Sequence, residues 1–278
     1  MSENHLNGKS IVVTGAAGGF GSRLCRDAVA RGATVAALDV DGAALESMAA
    51  EFDDGESLIT VPTDVTDLGA MAAAIARTVD AFGRVDVMIN NAGTMPLAFL
   101  ADHAQAADAW SRCIDINIKG VLNGMIAVHD QMVGQGRGHI VNLSSIYGNA
   151  PVAGAGVYGA TKAAVNMMSE AFRVETQGTI KVTVVKPTGV PATGLGAGVI
   201  NPEAVVGVLG QNAEEYGAVF AALAEGRLDD VDLDPGSVGY AVLDPQYVVD
   251  EILHTVDQPW GVSLGDITIR ATGDRYLL

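Results

Sequence analysis

Cysteine is scarce in this chain. Its 278 residues hold only Cys25 and Cys113, neither in a Cys-x-x-Cys or zinc-type spacing. Two thiols in a chain of this length point to a reducing compartment and away from a disulfide framework. The five histidines show no metal-ligand spacing, so no metal is expected. Basic residues are also few: 16 Lys and Arg stand against 33 Asp and Glu, a formal net charge of -17. Nucleic acid and anionic membrane both need a basic face, so neither is expected as a partner. No apolar run reaches the roughly 18–20 residues of a bilayer span. The polar start, Met-Ser-Glu-Asn-His, has no signal-peptide pattern. A soluble, cytoplasmic protein is the expectation. Aromatics make up only 5%, whereas 49% of residues are hydrophobic and 34 are glycine. That composition suits a sheet buried under helices.

The first 190 residues alternate short β-branched runs with longer helical patterns. Strands are expected at Ser10–Thr14, Thr34–Asp39, Ser57–Pro62, Val85–Asn90, His139–Ser144 and Lys181–Lys186. Helices are expected at Gly19–Arg31, Gly42–Phe52, Leu68–Phe82, Gln105–Gly134 and Ala155–Gln177. Such alternation implies an α/β fold: a Rossmann-like, doubly wound parallel sheet with helices on both faces. After Pro187 the texture changes. Residues 188–239 are rich in Gly, Pro and acidic side chains, with a modest helical pattern at Ala213–Leu223. A long segment of this kind within a compact domain reads as a substrate-binding lid. A helix (Pro245–Val256) and a strand (Asp266–Ala271) follow, and no interdomain linker interrupts residues 1–278, read as one domain.

Thr14-Gly-Ala-Ala-Gly-Gly-Phe-Gly21 follows a strand and opens a helix, the context a dinucleotide loop requires. Gly15 permits the tight turn. Gly18, Gly19, Phe20 and Gly21 bring backbone and helix N-terminus toward a pyrophosphate. About twenty residues on, Val35-Ala-Ala-Leu-Asp39 ends in a carboxylate placed to accept hydrogen bonds from the adenosine ribose. A carboxylate there repels a 2′-phosphate, and no Arg or Lys stands nearby to receive one, so NAD is favoured over NADP. Asp64 and Val65, after the third strand, are candidates to flank the adenine; Asp64 equally suits a helix cap.

Tyr158 and Lys162 lie four apart and therefore share one helix face, with Ser145 thirteen residues before the tyrosine. A neighbouring ammonium favours phenolate and is expected to lower the Tyr158 pKa from about 10. A tyrosine so tuned exchanges a proton with an alcohol or ketone while the serine holds the substrate oxygen.

In order, Thr14–Gly21, Asp39, Asp64, Asn90-Asn91-Ala92-Gly93, Asn117, Ser145, Tyr158 and Lys162 resemble the classical short-chain dehydrogenase/reductase family almost end to end. The resemblance implies about seven parallel strands in the order 3-2-1-4-5-6-7 and a homo-tetramer or homo-dimer. It implies Tyr158 as catalytic acid/base, Ser145 as the group that orients the substrate oxygen, and Lys162 as the group that lowers the tyrosine pKa and holds the nicotinamide ribose. Asn117 would break a helix bond locally and hold a water that passes protons to the lysine. Asn91, Ala92, Gly93, Pro187 and Val190 would complete the cofactor site. The chain departs from the family at Pro187-Thr-Gly-Val-Pro-Ala-Thr193, where Pro-Gly-x-Val-x-Thr is common. That displacement leaves cofactor contacts from Thr188 and Thr193 open. Gly15, Gly18 and Gly21 also fit the Gly-x-x-Gly-x-x-Gly spacing of extended members such as sugar-nucleotide epimerases.

The reading is an NAD-dependent oxidoreductase that interconverts a secondary alcohol and a ketone. An epimerase or dehydratase that retains NAD, and a non-catalytic NAD-binding regulator, are the alternatives. Met95, Tyr147, Asn149, Val152 and Leu195 are the candidate substrate residues. Glu203, Glu214, Glu215, Glu225, Asp229, Asp230, Asp232 and Asp234, against Arg227 alone, make the lid acidic. A lid so charged would favour neutral or amine-bearing substrates over anionic ones, unless its carboxylates only face water.

Overall fold

A computed structural model describes residues 4–52, 56–191, 193–228 and 230–278. The β-branched runs form seven strands: β1 (Ser10–Thr14), β2 (Thr34–Asp39), β3 (Leu58–Pro62), β4 (Val87–Asn90), β5 (Gly138–Leu143), β6 (Ile180–Pro187) and β7 (Asp266–Ile269). All neighbours pair in parallel, in the order β3-β2-β1-β4-β5-β6-β7. Between them run α1 (Gly19–Ala30), α2 (Gly42–Ala49), α3 (Leu68–Phe82), α4 (His103–Ile114), α5 (Val121–Gln135) and α6 (Gly156–Glu175). The later segment carries α7 (Val206–Leu209), α8 (Ala213–Ala224) and α9 (Asp230–Leu233), and α10 (Pro245–Val256) precedes β7.

Strand alternation divides the core in two. Ile11, Val13, Val35, Ala37 and Val141 face α1, α2 and α10, whereas Val12, Ala36, Leu38, Met88 and Ile140 face α3, α5 and α6. With both faces covered, the central strands are buried along their whole length, hence their nearly continuous apolar runs. Asp41, Asp67 and Asp244 cap α2, α3 and α10 by accepting from backbone N–H groups of the first turn.

Two boundaries differ from expectation for identifiable reasons. β4 begins at Val87 rather than Val85, because the Val85 backbone pairs in both directions with the Gln135 side chain. The single long helix expected at Gln105–Gly134 is α4 and α5 joined by one π-helical turn, Asp115–Gly120, which contains Asn117. No helix among the described residues is long and apolar enough to cross a membrane.

Strand order reverses between β1 and β4, which opens a crevice at the carboxyl ends of these strands. Asn91 closes its floor: Nδ2 donates to the Thr14 and Gly15 carbonyls at 2.9 and 3.0 Å, and the Asn91 N–H donates to Thr14 Oγ1.

Candidate active site

A cavity of about 870 Å³ fills this crevice. At one end lies the glycine loop. Gly15 has φ +64, and a Cβ there would stand 2.8 Å from Ala92 Cα, so only glycine lets the loop cross the end of β4. Gly18 is extended, faces open space and caps α1 without a side chain; no acid occupies the first turn. The first N–H groups of α1 therefore meet the cavity with no side-chain cap, as an anion site requires. Gly15, Gly18, Gly19 and Phe20 line the cavity. Gly21 does not; a Cβ there would overlap the Gly15 carbonyl oxygen, so its role is close packing of helix on loop.

Asp39 ends β2 on the cavity wall. Its Oδ2 accepts from Ala17 N at 2.9 Å and its Oδ1 from Asp41 N at 3.0 Å, which fixes the carboxylate beside the loop. Asp64 neither borders the cavity nor caps α3, which Asp67 caps; it closes the turn before that helix. Its Oδ1 accepts from the Thr66 N–H and hydroxyl, holding the carboxyl below its ordinary pKa. Val65 is buried against Gly120, its carbonyl accepting from Asn123 Nδ2. Asn91, Ala92, Gly93, Pro187 and Val190 all border the cavity, as do Thr188 and Thr193 despite the displaced motif. The bare glycine cradle, the uncapped helix end and the fixed carboxylate fit a nicotinamide dinucleotide laid from β2 toward β5.

Beyond β4 the chain is stitched to the π turn. Asn117 is fully buried; its Oδ1 accepts from Thr94 N, and its Nδ2 donates to Thr94 O and Thr161 Oγ1, all at 3.0–3.1 Å. The expected local break in the helix is thus the π turn that points this side chain at Thr94. Gly93 lies between Asn117 and Lys162. A Cβ there would stand 3.4 Å from Asn117 Oδ1 and 3.7 Å from Lys162 Nζ.

Ser145, Tyr158 and Lys162 converge at the other end. Ser145 follows β5 and caps a one-turn 3-10 helix, Ile146–Gly148. Its hydroxyl accepts from the Tyr147 N–H at 3.3 Å and borders the cavity with the Tyr158 phenol, where its influence favours phenolate. Lys162, one turn along α6, donates from Nζ to Leu143 O at 2.7 Å and stands 5.8 Å from the Tyr158 ring centre. The expected depression of the Tyr158 pKa is absent. Burial pushes this phenol well above its ordinary value, against the opposing influence of the Ser145 hydroxyl, and burial pulls Lys162 down to about 8. Desolvation of both groups outweighs their attraction while the site holds no second positive charge.

A third apolar cluster builds the far wall, joining Tyr147 and Tyr158 to Leu97, Val208, Leu209, Tyr216 and Tyr276. Tyr147 packs edge-on against Tyr158, ring centres 5.5 Å apart. Met95, Tyr147 and Leu195 line the cavity as expected. Asn149 does not: it is exposed, closing the one-turn helix. Val152 is buried behind the wall. Leu97, Val199, Val205, Tyr216 and Tyr276 also line the cavity, and no motif announced them. Of the acidic residues between 194 and 239, none of Glu203, Glu214, Glu215, Glu225, Asp232 and Asp234 borders the cavity. Asp229 lies outside the described residues, as does the Asp230 side chain. Those described stay away from the cavity, Glu215 and Glu225 pairing instead with Arg275 and Arg227.

A model of the short chain dehydrogenase family matches residues 9–203. The chain is 32% identical over 268 residues to a glycine betaine reductase of Emericella nidulans, covering 95% of this chain. It spans only 19% of that relative's length. An uncharacterized oxidoreductase of Staphylococcus haemolyticus is 27% identical over 95% of this chain and 98% of its own. Among solved structures, the closed form of a serine dehydrogenase complexed with NADP+ superposes with a TM-score of 0.75 at 27% identity, over 96% of this chain and 97% of the other.

Proposed function

The chain belongs to the short-chain dehydrogenase family and is an oxidoreductase; we propose that it interconverts a secondary alcohol and a ketone with NAD, using Tyr158 as the acid/base. The observation that carries this reading is the meeting of Ser145, Tyr158 and Lys162 on the wall of a glycine-cradled cavity, with the Lys162 ammonium 5.8 Å from the Tyr158 ring centre.

When bound, the nicotinamide supplies the hydride chemistry, and its positive charge in the oxidised form adds to that of Lys162. The residues of the chain handle the proton. Ser145 Oγ donates to the substrate oxygen and holds it beside Tyr158 Oη. Tyr158 takes the hydroxyl proton as the carbinol C–H bond breaks, and returns it when a ketone is reduced. Lys162 stabilises the phenolate that precedes this transfer and binds the nicotinamide ribose. Asn117 holds a water between its Oδ1 and the lysine, beside Gly93, through which the proton leaves. Gly15, Gly18, Gly19 and the α1 N-terminus bind the pyrophosphate, and Asp39 binds the adenosine ribose.

NAD is favoured because, among the described residues, Asp39 and Lys162 are the only charged ones on the cavity wall, and no described cation stands beside Asp39 for a 2′-phosphate. The same scarcity favours a neutral substrate over an anionic one, since Lys162, the one described cation of the wall, is assigned to the tyrosine and the cofactor ribose. An amine preference has no described carboxylate at the substrate end to rest on. Residues 188–239 act as the lid. A cytoplasmic homo-tetramer or homo-dimer completes the reading, supported by exposed Leu122, Ile126, Val133 and Met167 on α5 and α6.

The test is turnover of a panel of neutral, amino and carboxylate-bearing secondary alcohols with NAD+ and with NADP+, followed by absorbance of the reduced nicotinamide. Oxidation of a neutral alcohol with NAD+ supports the reading. No turnover across the panel, or preference for a hydroxy acid, overturns it.

A further inference from the structure

Tyr276 borders the cavity from a segment, residues 274–278, that neighbouring segments hold in place. Leu277 N–H donates to Val208 O at 3.0 Å, and Asn212 Nδ2 donates to Arg275 O at 3.0 Å. The Arg275 guanidinium pairs with Glu215 at 2.8 Å. Arg270 holds the tail from the sheet side, through Asp274 at 3.0 Å and the Leu278 carbonyl at 2.9 Å. Tyr276 sits inside this clasp. Its ring meets Tyr216 edge-on with centres 5.7 Å apart, and its hydroxyl donates to the Tyr216 hydroxyl at 3.1 Å.

Gly189 shows how closely Tyr276 is fitted. Gly189 does not have a positive φ, so its backbone makes no demand for glycine. A Cβ at that position would nevertheless overlap the Tyr276 hydroxyl. The loop after β6, which also carries Thr188 and Val190, is therefore shaped around a side chain 87 residues further along the sequence. Both tyrosines border the cavity shared with Ser145 and Tyr158, in a wall otherwise supplied by apolar residues such as Met95, Leu97, Val199 and Val205. A phenol that donates one hydrogen bond keeps acceptor capacity on its oxygen. That makes Tyr276 a neutral acceptor on an apolar surface.

We propose that Tyr276, clasped to the 206–215 segment and seated on Gly189, is a substrate-positioning residue that accepts a hydrogen bond from an uncharged donor at the far end of the substrate alcohol. The inference rests on the oxidoreductase reading and adds the substrate class: a secondary alcohol with a second hydrogen-bond donor, such as a phenol, hydroxyl or amide N–H.

The experiment compares 1-phenylethanol, 1-(4-hydroxyphenyl)ethanol and 1-(4-methoxyphenyl)ethanol in wild type, Tyr276→Phe and Gly189→Ala, with NAD+ affinity measured in parallel. Wild type should have its lowest KM for the hydroxyphenyl alcohol. Tyr276→Phe should raise that KM by about five- to tenfold, in line with one lost hydrogen bond. Its kcat, NAD+ affinity and KM for the other two alcohols should stay within about twofold, a pattern that loosened packing alone would not produce. Gly189→Ala should raise all three KM values and speed hydrogen exchange in residues 206–215. Equal KM values for the three alcohols in wild type, or a Tyr276→Phe effect that does not distinguish them, would overturn the proposal. Wild type inactive on the whole earlier panel would instead remove the oxidoreductase reading. Hydrogen exchange then judges the clasp: no change in residues 206–215 in Gly189→Ala overturns it as well.

Discussion

Replacing Asp39 by asparagine keeps the size of the side chain and removes its charge, which isolates what the carboxylate does at the end of β2. Asp39 accepts two backbone hydrogen bonds, from Ala17 at 2.9 Å and from Asp41 at 3.0 Å, one on each oxygen. Asparagine has a single acceptor oxygen, so one N–H loses its partner at a cost of about 1–2 kcal/mol. NAD+ binding should weaken by no more than about tenfold, since the ribose still finds an acceptor or a donor. The larger effect falls on NADP+. Two unit charges about 4 Å apart repel by about 4 kcal/mol at an effective dielectric of 20. Half-exposure of Asp39 and ordinary salt reduce this to about 2–3 kcal/mol. Wild type should therefore bind NAD+ about 30- to 150-fold more tightly than NADP+. Asp39→Asn should bring the ratio below about tenfold, mainly by tightening NADP+. Fluorescence titration of both reduced cofactors at low and moderate salt measures this directly, and the wild-type ratio should shrink as salt rises. Wild type binding NADP+ as tightly as NAD+, or an unchanged ratio in the variant, would refute the reasoning. The serine dehydrogenase complexed with NADP+ makes the test pointed, because a protein of similar fold takes the cofactor that Asp39 should repel here.

Lys162→Met should abolish turnover and also alter stability. In the folded chain Lys162 loses its proton near pH 8, whereas the unfolded side chain keeps it to about 10.5, so stability rises with pH across that window. Thermal melts between pH 7 and 10.5 should show a flatter rise in Lys162→Met, with Lys181, also lowered to about 8, supplying the remainder. Gly21→Ala should cost at least about 3 kcal/mol, because the new methyl overlaps the Gly15 carbonyl in a packed turn. Denaturant titration checks this, and NAD+ affinity should fall with it. Asn117→Ala leaves the Thr94 N–H without its side-chain acceptor and the Thr94 carbonyl without the amide donor. A loss of about 2–4 kcal/mol in stability is expected, with a lower kcat at unchanged NAD+ affinity.

The sheet was legible because its signals are local. Alternating apolar faces and the glycine loop lie within single elements, and β1, β2 and α3 fall where their sequence patterns end. The Ser145, Tyr158 and Lys162 constellation was legible for the same reason, being set by a strand end and one helical turn. Asp64 was ambiguous because a carboxylate before a helix serves a cap as readily as a ligand; the structure gives the cap to Asp67, and Asp64 closes the preceding turn through Thr66. Tyrosine acidity was misjudged because spacing reports the nearby lysine and not the desolvation of both groups. Tyr216 and Tyr276 were invisible for a different reason. They are 60 residues apart and meet only once α8 and the tail have folded over the third apolar cluster. Asn149 and Val152 show the converse error, since nearness to Ser145 in sequence does not bring a side chain to the cavity.

Tyr158→Phe tests the central claim most directly, because it removes one oxygen and keeps the ring packed against Tyr147. In steady-state turnover of the best alcohol, with NAD+ affinity titrated in parallel, kcat should fall by about 10²- to 10⁴-fold while affinity stays within about twofold. A Tyr158→Phe enzyme that turns over within about fivefold of wild type would contradict the assignment of that phenol as the proton carrier.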